Sequence, residues 1–411
     1  MKYSLLTFAL AAVASAQQDQ NPNQNSNGAS RVASSSSSSS TSARYSEYGV
    51  LEFDNLGFEG YYKHVKTLDD SDSCKCELAS NKHRTLFSGT NSPLDQELSV
   101  HFRGPLSLKS FGYYTSNDSS SDVWSRKAYY DGSSGTSENI TFLTAAGQNS
   151  TCLGKALTYA DSDGISEASS STVLKEDTLI GSDEEFIIFS NVSCGDSGFD
   201  KDCGVYRDGI PAYHGYGGTT KMFLFEFTMP EETAEDDDSY SYYNMPAIWL
   251  LNSHIPRTSQ YPSNENCSCW ATGCGEFDIF EVMNTTEATH LYSTIHDYQG
   301  SGDIGTGLVA PGWTKRQYDS TMLGGVVFGT DGTVSVFLSN DTSFDQNISA
   351  SDVSQWISSA TTEDDETSLV LASATNTGSG SVSGASGALP FDLDIRWVFA
   401  AFALVGAVGV F

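Results

Sequence analysis

Basic residues are scarce in this chain. Its 411 residues carry 21 Lys and Arg against 52 Asp and Glu, a formal net charge of −31. Nucleic-acid phosphate needs a cationic face, so this balance argues against a nucleic-acid partner, and equally against docking on anionic lipid through basic patches. An uncharged polymer such as a neutral polysaccharide meets no such barrier. Strong helix formers are sparse beside Ser, Thr, Gly, Tyr and Phe, which argues against a helical bundle. No segment keeps helical periodicity beyond about three turns, and neither an internal repeat nor a βαβ rhythm is present. What the chain does have is a core: 38% of its residues are hydrophobic and 12% aromatic, too many for a wholly disordered polymer.

The two ends read as addresses. Lys2 precedes an apolar run from Leu5 to Val13 and the small-residue site Ala14-Ser15-Ala16, the pattern of a signal peptide cleaved after Ala16. The apolar run is far shorter than the roughly 20 residues of a membrane span. At the other end, a Gly/Ser/Ala stretch from Thr377 to Ala388 leads to an apolar tail, Ile395 to Phe411, with no basic residues beyond it. Small residues, a spacer and a terminal apolar tail form the glycosylphosphatidylinositol (GPI) attachment pattern, with Gly384 or Ser386 as attachment residue and 391–411 removed. The expected product is secreted and tethered by GPI lipid.

The cysteines agree with that route. There are eight, Cys74, Cys76, Cys152, Cys194, Cys203, Cys267, Cys269 and Cys274, an even number that suits up to four disulfides in an oxidising compartment. Their spacing offers no pair of matched C-x-x-C halves, which disfavours zinc. Glycosylation sequons begin at Asn117, Asn139, Asn149, Asn191, Asn266, Asn284, Asn340 and Asn347, as suits a secreted glycoprotein.

Between the ends the chain divides by composition. Residues 17–44 are Gln/Asn-rich and then Ser-rich, a linker or stalk. Residues 45–118 read as a small β domain containing Cys74 and Cys76, and residues 123–358 as a larger β domain. Strand candidates are Tyr48–Phe53, Glu97–Phe102, Phe186–Phe189, Met222–Thr228, Ala247–Leu251 and Val334–Leu338. Residues 359–390 read as an acidic, then Gly/Ser-rich, stalk. Many short strands without crossover helices predict an all-β fold, an antiparallel sandwich or jelly roll.

The segment richest in chemistry is Gly275-Glu276-Phe277-Asp278-Ile279-Phe280-Glu281-Val282. In a strand Glu276 and Asp278 share a face, whereas Glu281 has the opposite parity. One β-bulge between Asp278 and Glu281 returns the third acid to that face, with Phe277 and one of Ile279 or Phe280 packed inward. Like charges this close raise one another's pKa, so one carboxyl stays protonated near neutral pH while another is ionised. Glycoside hydrolysis requires that division. The alternative reading of the same residues is an edge strand with a solvated acidic face.

Glu276, Asp278 and Glu281 match position for position the E-x-D-x-x-E strand of glycoside hydrolase family 16, which the chain resembles here. The resemblance implies Glu276 as nucleophile, Glu281 as acid/base and Asp278 as the residue orienting the nucleophile. Met245 to Leu251 resembles that family's P-A-x-W strand, with Trp249 facing the sugar, and Ser293 to His296 resembles the strand whose histidine lies near the acid/base. The whole layout, including Cys203 to Lys221 and Asn266 to Val282, is similar to fungal cell-wall proteins of the Target-of-SBF-like group. That resemblance implies a retaining endo-β-1,3-glucanase acting on wall β-glucan. Transglycosylation at the same site, or a non-catalytic glucan-binding wall mannoprotein, are the alternatives. The cluster Cys267, Cys269 and Cys274 departs from the general family 16 pattern and is expected to reshape one end of the groove.

Weaker signals complete the reading. Gly215 to Lys221 lacks the phosphate-loop spacing and reads as a turn before a strand. The acidic run from Glu231 to Asp238 lacks Gly-punctuated calcium-ligand spacing and reads as a solvated loop, which leaves a structural calcium open but calls for no cofactor. Trp270, Trp313, Tyr242 and Tyr243 are candidates for stacking on sugar rings or for core packing, with Trp270 the one assigned to substrate.

Overall fold

The computed structural model describes residues 47–374, except 72–73, 117–121, 237–238, 262–263, 300–303 and 361–369. The signal segment, the linker, the attachment residues, the apolar tail and the sequon at Asn117 lie outside the described residues. Among the described residues no helix is long and apolar enough to cross a membrane.

Two large sheets form a β-sandwich. The outer sheet runs in the order Asn347–Ser349, Val123–Asp131, Ser107–Ser116, Lys221–Thr228, Met322–Phe328, Val334–Leu338, Val50–Asp54 and Val370–Ser373. The second, here the cleft sheet, runs Glu167–Ala168, Thr158–Ala160, Thr141–Thr144, Glu185–Phe189, Leu98–Arg103, Ala247–Asn252, Glu276–Glu281, His290–His296 and Leu308–Val309. Each strand candidate from the sequence lies in one of these sheets. Among the described strands of these sheets pairing is antiparallel apart from Val50–Asp54 with Val370–Ser373, which is parallel.

Aromatic rings fill the space between the sheets, as the composition required. Phe53 meets Phe277 edge-on at 5.3 Å, and Phe227 lies 5.5 Å from Phe280. These contacts clamp Glu276–Glu281 from behind by its inward side chains. Buried rings of this size dominate core energetics. A second cluster on the outer face buries Trp356 and Val353 of the helix Ala350–Ala360 against Val50, Tyr114 and Phe337.

Two boundaries differ from the expected ones. The segment 45–118 is not a separate β domain: Val50–Asp54 and Ser107–Ser116 sit inside the outer sheet, and Leu98–Arg103 is central in the cleft sheet. Leu98–Arg103 and most of Ser107–Ser116 are buried on both faces, so they need cover on both sides, and the described residues form one compact unit. The expected stalk 359–390 also contributes Val370–Ser373 to the outer sheet, beside Val50–Asp54. There a short apolar run follows the acidic residues, and Ala372 is buried in the core.

All eight cysteines are paired, as Cys74–Cys152, Cys76–Cys267, Cys194–Cys203 and Cys269–Cys274. The first two tie the hairpin of Val65–Asp69 and Lys75–Leu78 to later parts of the chain. Gly215 to Lys221 is a turn into a strand: Lys221 is fully buried, and its ammonium donates to the carbonyls of Gln96 (3.0 Å) and Tyr216 (3.3 Å).

Candidate active site

The acid strand, Glu276–Glu281, begins after Gly275, whose φ of +108° is a conformation L side chains rarely adopt. A Cβ there would also press on Leu94, so glycine is needed at that position. Trp249 pairs with Asp278 and Ile248 with Phe280, leaving Ile279 as an extra residue without a partner. On the other side Asp278 opposes Thr294 and Glu281 opposes Tyr292, so three residues span what two span on the neighbour. This is the β-bulge the acid spacing called for. It turns Glu276, Asp278 and Glu281 to one face, while Phe277, Ile279 and Phe280 all join the core. The expectation that only one of Ile279 and Phe280 packs inward is corrected: the bulged residue turns back into the core as well.

Residues directly opposite on paired strands share a face, so the registers give rows across the cleft sheet. One row reads Glu185, Arg103, Ala247, Glu281, Tyr292. The next reads Ile187, His101, Trp249, Asp278, Thr294, and the third Ser99, Leu251, Glu276, His296.

Each acid has its own partner. The Trp270 indole N–H donates to Glu276 Oε2. Asp278 is 7% exposed and its Oδ2 lies 3.0 Å from His296 Nε2. Arg103 Nη2 donates to Glu281 Oε1 at 3.2 Å. Arg103 is in turn fixed by the Met245 carbonyl at 2.8 Å and by the Tyr242 ring, 4.3 Å from its guanidinium carbon.

Burial first, and the charge of Asp278 second, push both Glu276 and Glu281 above the usual carboxyl range. His296 works against that. Burial alone would discharge it, yet the hydrogen bond and charge of Asp278, with the charge of Glu276, raise it to about 10. Its Nδ1 lies 2.6 Å from the Ile304 carbonyl, so both ring nitrogens face acceptors and the ring is an imidazolium. The cluster thus combines three carboxyls with two fixed cations and retains a proton near neutral pH. Glu185, further along the first row, is pushed up to about 7 by burial and accepts from Tyr261 Oη at 3.1 Å.

The expected site residues therefore meet, with one change of character. Trp249 lies on the groove face beside Asp278, but it is 3% exposed and stacked on His101, with ring centroids 5.0 Å apart. A platform for a sugar needs an open ring, and this one is covered. Trp270 and His296 border Glu276 and Asp278 directly. Arg103, Tyr242 and Glu185 were not foreseen as partners of the acids. For Arg103 the signal existed: Ser99, His101 and Arg103 alternate as polar residues along an otherwise apolar strand.

Among the described residues, the groups with metal-ligand geometry are Cys76, Cys152 and Cys267, and Cys194, Cys203 and His214. Every one of those sulfurs is in a disulfide. In the acidic run, burial works to raise Glu232, but the backbone N–H of Ala234, the hydroxyl and N–H of Ser182 (2.7 and 2.8 Å) and the N–H of Thr233 bring it down to about 2.

The fold and site define a disulfide-bonded β-sandwich protein with an acid triad on one face of a sheet. The chain belongs to the cell wall protein YJL171C/Tos1 family: residues 50–116 match the model of its N-terminal part and residues 122–356 that of its C-terminal part. It is 60% identical over 326 residues to a Candida albicans protein named "Probable circularly permuted 1,3-beta-glucanase PGA52", covering 78% of this chain and 84% of that one. It is 56% identical over 319 residues to a Saccharomyces cerevisiae protein named "Probable circularly permuted 1,3-beta-glucanase YJL171C", covering 75% and 80%. A second S. cerevisiae protein of that description, TOS1, is 43% identical over 243 residues, 57% of this chain and 49% of that one. No solved structure matches the chain.

Proposed function

We propose that the protein is a retaining glycoside hydrolase of cell-wall β-1,3-glucan. The observation that carries the reading is the bulge, which sets Glu276, Asp278 and Glu281 on one face. The relatives named as 1,3-beta-glucanases supply the substrate class. Roles follow from the family 16 resemblance together with the chemistry. Glu281 donates a proton to the glycosidic oxygen as Glu276 attacks the anomeric carbon, and the leaving chain departs. Glu281, now ionised, takes a proton from water as that water displaces Glu276, so configuration is retained. Asp278 and the His296 imidazolium form the charge pair between the two glutamates. Trp270 holds Glu276 in place, since an indole N–H can only donate and so favours the carboxylate needed for attack.

The proposed setting is the outer face of a fungal cell, with the chain delivered by its signal segment and retained by a GPI lipid. The decisive test is Glu276→Gln. Release of oligosaccharides from laminarin should fall below detection while the thermal transition stays near wild type. Activity like that of wild type in this variant would dismiss the assignment.

A further inference from the structure

Among the described residues, the groove face is roofed on one side of the acid strand and less covered on the other. In a retaining mechanism the two carboxyls flank the scissile bond, so the sugar chain crosses the strand that bears them. Attack within a long glucan therefore needs free surface over both neighbouring strands, Ala247–Asn252 and His290–His296.

Over Ala247–Asn252 there is none. Ala247, Trp249 and Leu251 are 1%, 3% and 1% exposed. They are packed under Ile255 of the helix His254–Thr258, under Cys269 and Cys274, and under Tyr62 and Phe87 from two paired strands near the N-terminus. These roofing pieces come from separate parts of the chain, and disulfides fix the part that bears Cys269 and Cys274. The next strand is closed as well, with Ser99 and His101 fully buried and Arg103 lying under Tyr242. Beyond it, Ile187, Phe189 and Leu143 are sealed by Leu157 and the half-buried Tyr159, Ile210 and Tyr213.

Over His290–His296 the described residues cover the face less completely. His290 and Tyr292 are half-buried, while Thr294 is 1% exposed and His296 is held by the Ile304 carbonyl. Tyr292 stands opposite Glu281, and His290 stacks on Trp313 with ring centroids 3.8 Å apart. Aromatic side chains such as these are the surface a neutral sugar chain binds, and the Lys315–Glu47 ion pair opposite His290 presents no net charge to such a ligand.

From this asymmetry we infer that the site is blind on the Ala247–Asn252 side and accepts the end of a β-1,3-glucan chain, the remainder running out over Tyr292, His290 and Trp313. Arg103 and Tyr242 form the end wall. The inference rests on the hydrolase reading above and narrows it, replacing the expected attack at internal bonds with attack near a terminus.

Laminari-oligosaccharides of single defined lengths, end-labelled, test this with the full-length secreted protein, alongside dye-crosslinked insoluble curdlan. The expected result is one short product of constant length from the earliest time point, whatever the substrate length, with little dye released. A ladder of internal products and rapid dye release would overturn the inference while leaving the hydrolase reading in place. Absence of any turnover, with the chain folded, would overturn the hydrolase reading and this inference together. Two variants probe the surfaces separately. Tyr242→Ala, which removes part of the wall, should broaden the product distribution. Trp313→Ala should raise KM for long chains by about 2- to 10-fold with kcat little changed.

Discussion

Asp278 and Glu281 are three residues apart on one strand and face the same way, because Ile279 sits in the bulge between them with its side chain in the core. The relationship makes a hydrophobic residue responsible for the aim of a carboxylate. Ile279 is fully buried, so Ile279→Ala should cost about 2–5 kcal/mol. Urea denaturation should show that loss, and activity well below the transition should fall too as the bulge loosens.

Removing the cation beside the acids should move the pH profile. The His296 charge lowers the pKa of both Glu276 and Glu281. His296→Gln therefore raises both, and the activity optimum should shift alkaline by about one pH unit with a loss of rate at neutral pH. Stability gives an independent reading. His296 is raised from 6.5 to about 10 on folding, so its contribution is complete below pH 6.5 and disappears as the pH climbs through 10. The wild-type melting temperature should fall more between pH 7 and 10 than that of the variant.

Trp270→Phe keeps the ring and deletes the donor to Glu276. A hydrogen bond to a charged group contributes about 1.5–3 kcal/mol. If that bond serves the nucleophile, kcat/KM should drop roughly 10- to 100-fold, with a melting temperature near wild type. An unchanged kcat/KM would show that the indole is a packing residue.

The disulfides should separate stability from activity. Cys269–Cys274 closes a loop of separation 5 around Trp270, whereas Cys76–Cys267 closes one of separation 191. Loop-closure entropy puts the first at about 2 kcal/mol and the second at about 5 kcal/mol. Paired Cys→Ser changes at 269 and 274 should mainly reduce turnover, by loosening Trp270. The same change at 76 and 267 should mainly lower the melting temperature.

Glycan mapping by mass spectrometry should find uneven occupancy. Asn149, Asn191, Asn266, Asn340 and Asn347 are exposed. Asn139 and Asn284 are half-buried, and their amides are engaged: Asn139 Nδ2 donates to the Lys127 carbonyl and Asn284 Nδ2 to Glu287 Oε2. Occupancy should be low at these two and high at the exposed five.

The acid strand was legible because its parity error at Glu281 has a single local remedy, a bulge. The strands from Phe186, Met222 and Val334 were legible from their apolar runs. The place of residues 50–116 was not, since a strand buried on both faces looks the same in a small domain as in the middle of a large sheet. The roof over Trp249 was hidden for a related reason. Tyr62 is far in sequence from Ile255 and Cys269, and only the tertiary fold brings it into one cluster with them and Trp249. Arg103 shows the middle case, a polar alternation visible in the sequence whose partner, Glu281, lies 178 positions away.

The bonds from Cys74 to Cys152 and from Cys76 to Cys267 also span the join between the two parts that the family models match separately. A protease cutting anywhere from residue 77 to residue 151 would produce two polypeptides that remain one molecule until reduced. In a cell wall, the acid strand and the strands that flank it would outlast the continuity of their own backbone after such a cut.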